Sequence, residues 1–291
     1  MKRVLVNGIE ADYVSVYDRG LQYGDGVFET VLCHAGQLYY WPQHYRRLLQ
    51  SAQKFRLACP SQEQLLAEIS RLLATDRPGG ENSACHAIKI ILTRADSERG
   101  YAFSKRPRGR RIVLVSAIAP AYSSLVTQTL EAGRLFVCQT QASINASLAG
   151  HKHLNRLANV MARNEFDDDC MDGLMSTADS HVISGSMSNL FAIKGKAIHT
   201  PDLRQSGVNG IMRERIMTII KQLDYPLHIS TMTLTELENM DALFISNSLI
   251  GMRPVSAMAE KTYPVAGPAA EMTQQIFEAL LADSREQLAR V

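Results

Sequence analysis

The strongest constraint on the fold is a mixture of two hydrophobic periodicities along the 291 residues. Short runs rich in β-branched and aromatic residues end at turn signals such as Asn7-Gly8 and Ala35-Gly36, a pattern that is typical of hairpins. Other stretches repeat apolar residues every three or four positions, as amphipathic helices do. Strands and helices are interspersed without any internal repeat, so the sequence predicts an α+β fold.

The N-terminal part of the chain contains both patterns. Helices are predicted over residues 43–55 and 61–74, and in the second Ser61 is the expected N-cap with Gln64 completing a capping box. The remaining apolar runs predict strands at residues 4–6, 27–34, 38–41, 86–93 and 112–118.

Periodicity stops at residues 119–125, where proline and serine cluster, and we predict a linker there. It separates a smaller N-terminal α/β domain, residues 1–118, from a larger C-terminal α+β domain, residues 126–291. The second domain is predicted to contain strands at residues 135–140, 173–177, 189–193 and 242–246 and helices at residues 154–166, 212–223 and 269–282.

Composition excludes several classes of protein. A hydrophobic content of 46% with 21% charged residues is typical of a soluble globular chain. A formal net charge of +2 without a run of five like charges argues against nucleic-acid binding. The brief N-terminal apolar stretch predicts neither a signal peptide nor a membrane span. The five cysteines are scattered and never in CxxC spacing, which predicts reduced thiols in a cytoplasmic protein and no metal site.

One lysine is distinguished by its neighbours. Lys152 lies between two histidines, after a run of small residues at 142–150 and before a predicted helix. A lysine amine that is partly removed from water has a lowered pKa, and the neutral amine can form a Schiff base or take up a proton. Taken alone, a solvated surface lysine is the commoner interpretation.

Two segments suit a phosphate group. Gly210 precedes an amphipathic helix, so the amides of Ile211 and Met212 are candidates for binding an anion at the helix N-terminus, with an ordinary turn as the alternative. Asn247 and Ser248 follow a predicted buried strand, and their polar groups suit either phosphate oxygens or a plain turn.

Arginines in the N-terminal part suggest further anion contacts. Arg47, at the inner edge of the first predicted helix, either contacts a phosphate or covers the core as a surface arginine. Arg99 and Tyr101, in a glycine-containing loop, suit an acidic substrate, with a solvated loop as the alternative. Asp25-Gly26 is interpreted by default as a hairpin turn.

Five segments occur in a fixed order along the chain: DRGLQYGDGVFET, HYRRL, KHLNRL, SNLF and GVNGIMR. In this order they resemble motifs of the fold-type IV pyridoxal-phosphate enzymes, the family of branched-chain aminotransferase, D-amino-acid aminotransferase and aminodeoxychorismate lyase. Five motifs together are far more specific than any one. The resemblance implies a two-domain α+β fold like that of D-amino-acid aminotransferase, a homodimer, and pyridoxal 5'-phosphate as the cofactor.

The resemblance also implies roles for individual residues. Lys152 would bind the cofactor covalently, and Arg47 would bind its phosphate. Asn189 would begin the strand beneath the cofactor ring, whereas the two histidines beside Lys152 would be structural. The phosphate site would be completed by Gly210, Ile211, Met212, Asn247 and Ser248.

Two positions favour the lyase branch of the family. Arg156 stands where the aminotransferases commonly have tyrosine or leucine, and the loop at residues 99–101 matches the lyases. The implied reaction converts 4-amino-4-deoxychorismate to p-aminobenzoate and pyruvate in folate biosynthesis. An aminotransferase for D-amino or branched-chain amino acids is the alternative. The residues expected to contact the substrate are Arg99, Tyr101, Phe28 and Thr30.

One position departs from the family pattern. Five residues before Asn189 the family has a glutamate that pairs with the pyridine nitrogen, and this chain has Ser184. A carboxylate keeps that nitrogen protonated and the ring a strong electron sink, which a neutral hydroxyl does not do. The chemistry then tolerates a weaker sink, or another acid such as Asp179 replaces the glutamate, or the protein is a weakly active cofactor-binding relative.

Overall fold

The computed structural model describes residues 3–74, 84–97, 100–103 and 109–291. The chain divides into two compact units. Unit 1 comprises Met1–Tyr122, His151–Asn155 and Gln287–Val291, and unit 2 comprises Ser123–Gly150 and Arg156–Glu286. Among the described residues, no helix is long and apolar enough to cross a membrane.

The described residues form both strands and helices, which confirms the predicted α+β class. The strands are β1 (Arg3–Val6), β2 (Ile9–Glu10), β3 (Gly26–His34), β4 (Gln37–Tyr39), β5 (Cys85–Thr93), β6 (Arg110–Ile118), β7 (Gly133–Val137), β8 (Cys170–Ser176), β9 (Val182–Gly185), β10 (Asn189–Lys194), β11 (Ala197–Pro201), β12 (Leu227–Ser230), β13 (Ala242–Asn247), β14 (Gly251–Met258), β15 (Lys261–Thr262) and β16 (Leu288–Arg290). The α-helices are α1 (Arg19–Tyr23), α2 (Trp41–Lys54), α3 (Gln62–Ala74), α4 (Ser124–Thr127), α5 (Leu157–Arg163), α6 (Ile211–Gln222), α7 (Leu234–Glu238) and α8 (Pro268–Glu286).

Unit 1 is built on a seven-stranded antiparallel sheet in the order β16-β4-β3-β5-β6-β1-β2. The two predicted hairpins are present, and both residues of each turn, Asn7-Gly8 and Ala35-Gly36, have the positive φ that tight hairpins require. Helices α2 and α3 bury one face each, so that Leu48 and Ile69 join sheet residues such as Ile88 in one hydrophobic core.

Unit 2 contains a nine-stranded mixed sheet, with the path β12-β11-β10-β13-β14-β7-β8-β9 and β15 paired to β14. Its central strands β10 and β13 are almost completely buried, and the rings of Phe191 and Phe244 stack at 4.9 Å across them. Helices α6 and α8 pack on each other and on β13. A strand buried on both faces has no polar alternation, which is why these two strands are continuous apolar runs in the sequence.

The predicted helix over residues 154–166 is shorter in the structure, because α5 begins only at Leu157. The preceding residues are extended and bond to β3: Phe28 N donates to Lys152 O at 2.9 Å, and Leu154 N donates to Gly26 O at 3.0 Å. His153 also pairs with Val27 as an antiparallel bridge, and backbone paired in this way is extended, which excludes helical dihedral angles at the same residues. Long-range pairing therefore overrides the local helical periodicity here.

The same pairing changes the division of the chain. The predicted boundaries place Lys152 and the C-terminus in the second domain, whereas the structure assigns His151–Asn155 and Gln287–Val291 to unit 1. Strand β16 pairs with β4, which explains the second difference. The change between units near Ser123 lies within the predicted linker, residues 119–125.

The core of unit 1 predicts the effect of truncating a buried leucine. Leu48 is 1% exposed on α2, and we expect Leu48→Ala to lower the free energy of unfolding by about 2–5 kcal/mol. Gln53 is exposed on the same helix, and the control Gln53→Ala is expected to change it by about 0.5 kcal/mol or less. Urea unfolding followed by the fluorescence of Trp41, the single tryptophan, reports on unit 1. Equal effects of the two substitutions would contradict this assignment of the core.

Candidate active site

Lys152 is placed by backbone bonds to the start of β3. Its carbonyl accepts the hydrogen bond from Phe28 N, and His153 forms a bridge with Val27. The side chain is half-buried, and Nζ lies 4.4 Å from the centroid of the Phe28 ring. An ammonium at that distance is attracted by the negative face of the ring. The lysine is therefore held against an aromatic surface at a defined place.

Two glycines of the first motif allow this segment to approach. A Cβ on Gly24, whose φ is +64°, would lie 2.6 Å from Asn155 Oδ1. A Cβ on Gly26 would lie 2.6 Å from the Leu154 side chain. Both distances are too short for real carbon atoms, so larger residues at 24 or 26 would displace the side chains of Asn155 and Leu154, and a Cβ at 26 would also lie 2.4 Å from Leu92 O.

The default interpretation of Asp25-Gly26 as a hairpin turn is wrong. Asp25 accepts hydrogen bonds from Arg19 Nε at 2.8 Å and from Arg94 Nε at 2.7 Å, and Gly26 begins a strand. Burial by itself would raise the pKa of Asp25, but the hydrogen bonds and charges of Arg94 and Arg19 outweigh it and lower the pKa. Asp25 thus anchors two buried arginines beside the lysine segment.

Of the loop predicted to contact substrate, Arg99 lies outside the described residues. Tyr101 is 85% exposed, and its carbonyl accepts a hydrogen bond from Arg19 Nη2 at 3.1 Å. Its ring lies 5.5 Å from that of Tyr23. The Tyr101 side chain is therefore exposed to solvent, while its backbone is hydrogen-bonded to the buried Arg19.

A buried ionic cluster lies on β3 and α2. Glu29 is 1% exposed and accepts two hydrogen bonds from Arg47, both at 2.7 Å, and one contact of 2.7 Å from His44 Nδ1. Burial would raise the pKa of Glu29, but the charge and hydrogen bonds of Arg47 prevail and lower it to about 2. Glu29 is consequently an anion at all physiological pH values, and it fixes the Arg47 guanidinium in one orientation.

The pKa of His44 is lowered by burial and, in part, by the charges of two neighbouring cations. Burial lowers its pKa, the bond to Glu29 opposes this, and the charges of Arg47 and Lys152 lower the pKa further. Neither Glu29 nor His44 was among the predicted site residues. Their signal was present: the glutamate lies near the end of the first motif, and the histidine stands three residues before Arg47 in the second.

His151, next to the lysine in sequence, and Thr30, a predicted substrate contact, both lie among the described residues of unit 1. His151 Nδ1 lies 3.0 Å from Ser51 Oγ, and its ring contacts Phe55, as a structural histidine would. Thr30 is half-buried on β3, two residues after Phe28.

In unit 2, the start of α6 offers backbone amides. Gly210 is the N-cap, and within the described part of the chain no side chain caps the first turn. A Cβ on Gly210 would lie only 2.0 Å from Asn189 Oδ1, so a larger residue there would displace the Asn189 side chain. The amides of Ile211 and Met212 open a 12-residue helix, whose positive dipole end suits an anion. The groups present at this helix start fit a phosphate.

Ser184 and Asn189 lie on β9 and β10, which are consecutive along the chain. Asn189 is 7% exposed, and its Nδ2 donates to Val208 O at 3.0 Å. Ser184 Oγ donates to Gly185 O at 2.9 Å. The single hydroxyl proton of Ser184 is used in this bond, so toward any further partner the hydroxyl oxygen can only accept.

Asn247 is occupied by its own turn. Its Oδ1 accepts from the amides of Leu249 and Ile250, both at 2.9 Å, and its Nδ2 donates to Met187 O at 3.3 Å. These contacts are the ones expected if Asn247 stabilises an ordinary turn, which was the alternative to a phosphate contact. Ser248 follows in the same turn and is half-buried.

A lysine held on an aromatic face and a helix start suited to an anion are typical of enzymes that use a phosphorylated carbonyl cofactor. Residues 26 to 258 match the family described as Amino-transferase class IV. The match covers more than half of the sequence, and the chain belongs to this family.

Individual relatives agree with this assignment. The chain is 31% identical to an aminodeoxychorismate lyase of Vibrio harveyi, over 93% of this chain and 97% of that protein. It is 30% identical to a D-alanine aminotransferase of Staphylococcus aureus, over 96% and 97%. The crystal structure of 4-amino-4-deoxychorismate lyase from Pseudomonas aeruginosa has 33% identity and a TM-score of 0.80, covering 96% of this chain and 98% of that one. The predicted fold-type IV architecture is confirmed.

The buried cluster predicts how stability depends on pH. The pKa of Glu29 is lowered, so its contribution to stability is complete above its ordinary pKa of 4.5 and is lost as the pH falls toward about 2. Glu29→Gln leaves Arg47 without its carboxylate and is expected to cost about 3 kcal/mol at pH 7. The variant should then lose less stability than the wild type between pH 4.5 and pH 3.

Urea unfolding at pH 7, 5, 4 and 3 measures this difference. Glu10 is exposed on β2, and Glu10→Gln is the matched control that should retain the wild-type pH dependence. Parallel stability curves for Glu29→Gln and the wild type would show that Glu29 does not titrate as described.

Proposed function

We propose that this protein is a pyridoxal-phosphate-dependent lyase that converts 4-amino-4-deoxychorismate to p-aminobenzoate and pyruvate. The observation that carries the proposal is the Lys152 amine, 4.4 Å from the Phe28 ring in a segment bonded to β3. Similarity over nearly the whole chain to lyases of this specificity from Vibrio harveyi and Pseudomonas aeruginosa supports the choice of reaction.

From unit 1 we assign two residues to the cofactor. Lys152 would bind it covalently through Nζ, and Arg47 would place a positive charge on its phosphate. Glu29 supports the second assignment, because it holds the guanidinium in one orientation by two hydrogen bonds of 2.7 Å. An arginine fixed in this way loses little freedom when it binds a phosphate.

From unit 2 we assign the phosphate-binding amides of Ile211 and Met212, with Gly210 keeping the helix start free of side chains. Ser184 and Asn189 are assigned to the ring. Asn247, at the end of β13, and Ser248, in the turn that follows, would complete the phosphate site. The geometry at Gly210 supports this set most directly, because a side chain at 210 would displace Asn189.

When bound, pyridoxal phosphate supplies a ring that stabilises the negative charge left on a substrate carbon after its proton is removed. The Lys152 amine, displaced by the substrate amine, would remove the proton from C4 of the substrate. The bond from C3 to the enolpyruvyl oxygen then breaks and the ring of p-aminobenzoate forms. Lys152 would return the proton to the departing enol, which yields pyruvate. The free Lys152 amine would then displace the nitrogen of p-aminobenzoate, releasing that product and restoring the original covalent link.

Ser184 is compatible with this reaction. Its hydroxyl proton is donated to Gly185 O, so it would accept a hydrogen bond from a protonated ring nitrogen and would add no charge. Formation of an aromatic product lowers the demand on the cofactor as an electron sink, which makes a neutral partner sufficient. Asp179 is exposed in the turn between β8 and β9, a position that does not favour it as a substitute acid.

The assignment of the substrate contacts follows the resemblance. Phe28 and Thr30 on β3 and Arg99 and Tyr101 in the loop after β5 are proposed to contact the substrate, with the arginine on a carboxylate. The exposed position of Tyr101 supports its availability to a ligand.

We also propose a cytoplasmic homodimer. Large apolar side chains of unit 1 are more than 60% exposed, as expected for a surface that a second copy covers. These are Ile9, Tyr13, Val16, Tyr17, Leu21 and Tyr101. All five cysteines are free thiols, which supports a reducing compartment.

The reaction is tested by incubating the purified protein with chorismate, glutamine and a glutamine-dependent aminating enzyme, and measuring p-aminobenzoate and pyruvate. Lys152→Ala should abolish both products and the visible absorbance of the bound cofactor, because no other group replaces the covalent link. Retained absorbance in Lys152→Ala would show that another lysine binds the cofactor. Lys89, whose Nζ lies 5.2 Å from the same Phe28 ring, is the matched control, and Lys89→Ala should retain the absorbance.

A second assay distinguishes the lyase from the alternative, an aminotransferase. The 30% identity to a D-alanine aminotransferase keeps this alternative open. Incubation with D-alanine or a branched-chain amino acid and 2-oxoglutarate should yield no glutamate at a rate comparable with lyase turnover. Rapid glutamate formation without p-aminobenzoate would identify an aminotransferase, and failure of both reactions would identify a weakly active relative.

Substitution of Ser184 tests whether a neutral partner is sufficient. We expect Ser184→Glu to change lyase turnover by about tenfold or less, because aromatisation already lowers the barrier. A rise in turnover of several orders of magnitude would show that the serine limits the enzyme. Ser184→Ala serves as the comparison, since it removes the acceptor without adding charge.

A further inference from the structure

A second buried carboxylate, in unit 2, belongs to none of the roles described so far. Asp172, on β8, is 1% exposed, and each of its oxygens accepts several hydrogen bonds. Oδ1 accepts from the amides of Gly173 and Ser186 at 2.8 and 3.0 Å and from Ser186 Oγ at 2.6 Å. Oδ2 accepts from Met187 N at 3.3 Å and Ser188 Oγ at 2.6 Å.

Four of these five donors belong to one turn, Ser186 to Ser188, which joins β9 to β10. The turn follows directly after the strand that carries Ser184 and directly precedes Asn189. The turn is also bonded through its carbonyls: Met187 O accepts from Asn247 Nδ2 at 3.3 Å. The Asp172 carboxylate therefore holds a turn that adjoins Ser184 and Asn189 in the chain and that is hydrogen-bonded to Asn247. All three residues are assigned to the cofactor.

The backbone is shaped to admit this carboxylate. A Cβ on Gly185 would lie 2.2 Å from Asp172 Oδ2 and 2.3 Å from Ser188 Oγ. Glycine at 185 is therefore required for the carboxylate to reach the turn. Asp179, the candidate substitute for the family glutamate, is exposed, whereas Asp172 is buried.

We propose that Asp172 is a positioning residue for the cofactor. Its carboxylate fixes the turn between Ser184 and Asn189, and so holds both residues in place against the ring. The inference rests on the proposed function, because it assumes that these two residues bind the cofactor. In a chain whose ring partner is a neutral serine, the hydrogen bond to the ring is weak and depends on exact placement of the strand that carries the serine.

The hydrogen bonds at 172 require a side chain that accepts through two oxygens. All five partners donate, and an ionised carboxylate accepts through both oxygens. In Asp172→Asn the amide accepts through one oxygen only, and its NH₂ group would face donors on the other side. At least one donor of the turn then loses its acceptor, and the turn is expected to become mobile.

Cofactor affinity and hydrogen exchange of the full-length protein test the proposal. We expect Asp172→Asn to raise the dissociation constant for pyridoxal phosphate, measured by titration of absorbance, by roughly tenfold or more. Exchange of the amides of Ser186 to Asn189, followed by mass spectrometry, should accelerate by a similar factor. Gly185→Ala, which keeps the carboxylate but displaces it, should weaken cofactor binding in the same direction.

The control is another carboxylate in unit 2 that anchors a turn. Glu165 accepts hydrogen bonds from the amides of Gln139 and Thr140. Glu165→Gln is expected to leave the dissociation constant within about twofold of wild type even if it lowers the melting temperature. A lowered melting temperature with wild-type cofactor affinity in both Asp172→Asn and Gly185→Ala would overturn the proposal, because it would show a structural role alone.

Cofactor binding and p-aminobenzoate formation by the wild-type protein show whether the lyase function or the role of Asp172 has failed. If it binds pyridoxal phosphate but forms no p-aminobenzoate, the lyase function fails, and the ratio of the variant and wild-type dissociation constants still decides the role of Asp172. If it forms p-aminobenzoate and Asp172→Asn binds the cofactor as tightly as wild type, the lyase function stands and the positioning role is rejected.

Discussion

The candidate active site depends on a short antiparallel pairing between residues 151–155 and the start of β3. Two backbone hydrogen bonds, from Phe28 N to Lys152 O and from Leu154 N to Gly26 O, place the lysine where its amine meets the Phe28 ring. The pairing stops helix formation until Leu157 and assigns the lysine segment to unit 1. Glycines at 24 and 26 leave room for the side chains of Asn155 and Leu154, which flank this pairing.

Two buried carboxylates, one in each unit, organise the polar groups near them by different means. Glu29 is neutralised by Arg47, and the attraction between them outweighs the cost of burial, as the pKa of about 2 shows. Asp172 instead accepts hydrogen bonds from neutral donors, three of them backbone amides and two of them hydroxyls. The first carboxylate orients a cation, whereas the second fixes the course of the backbone. In both cases the buried carboxylate oxygens are satisfied because the donors that face them are held in place.

Strand and helix positions were largely predictable from periodicity. The predicted ends of β5, β10, β13 and α6 differ from the observed ones by one or two residues at most, since each is a buried run or an amphipathic stretch whose pattern is local. The strands β11, β12 and β14 were not predicted. They contain polar residues or proline, and owe their extended form to neighbouring strands. The order of strands in either sheet has no local signal at all.

The sequence by itself determined which residues are candidates for the active site: the lysine motif, the glycine before α6 and the first motif stand out in residue order and spacing, and the family resemblance adds Ser184 in place of a glutamate. Only the tertiary structure decided their partners. It placed Lys152 on Phe28, paired Arg47 with Glu29, made Asp25 an anchor for two arginines instead of a turn, and directed the Ser184 hydroxyl to Gly185 O. The physical reason is that most of these contacts join residues far apart in the chain, and such a contact depends on the backbone path and on the space left by glycines, neither of which a local pattern records.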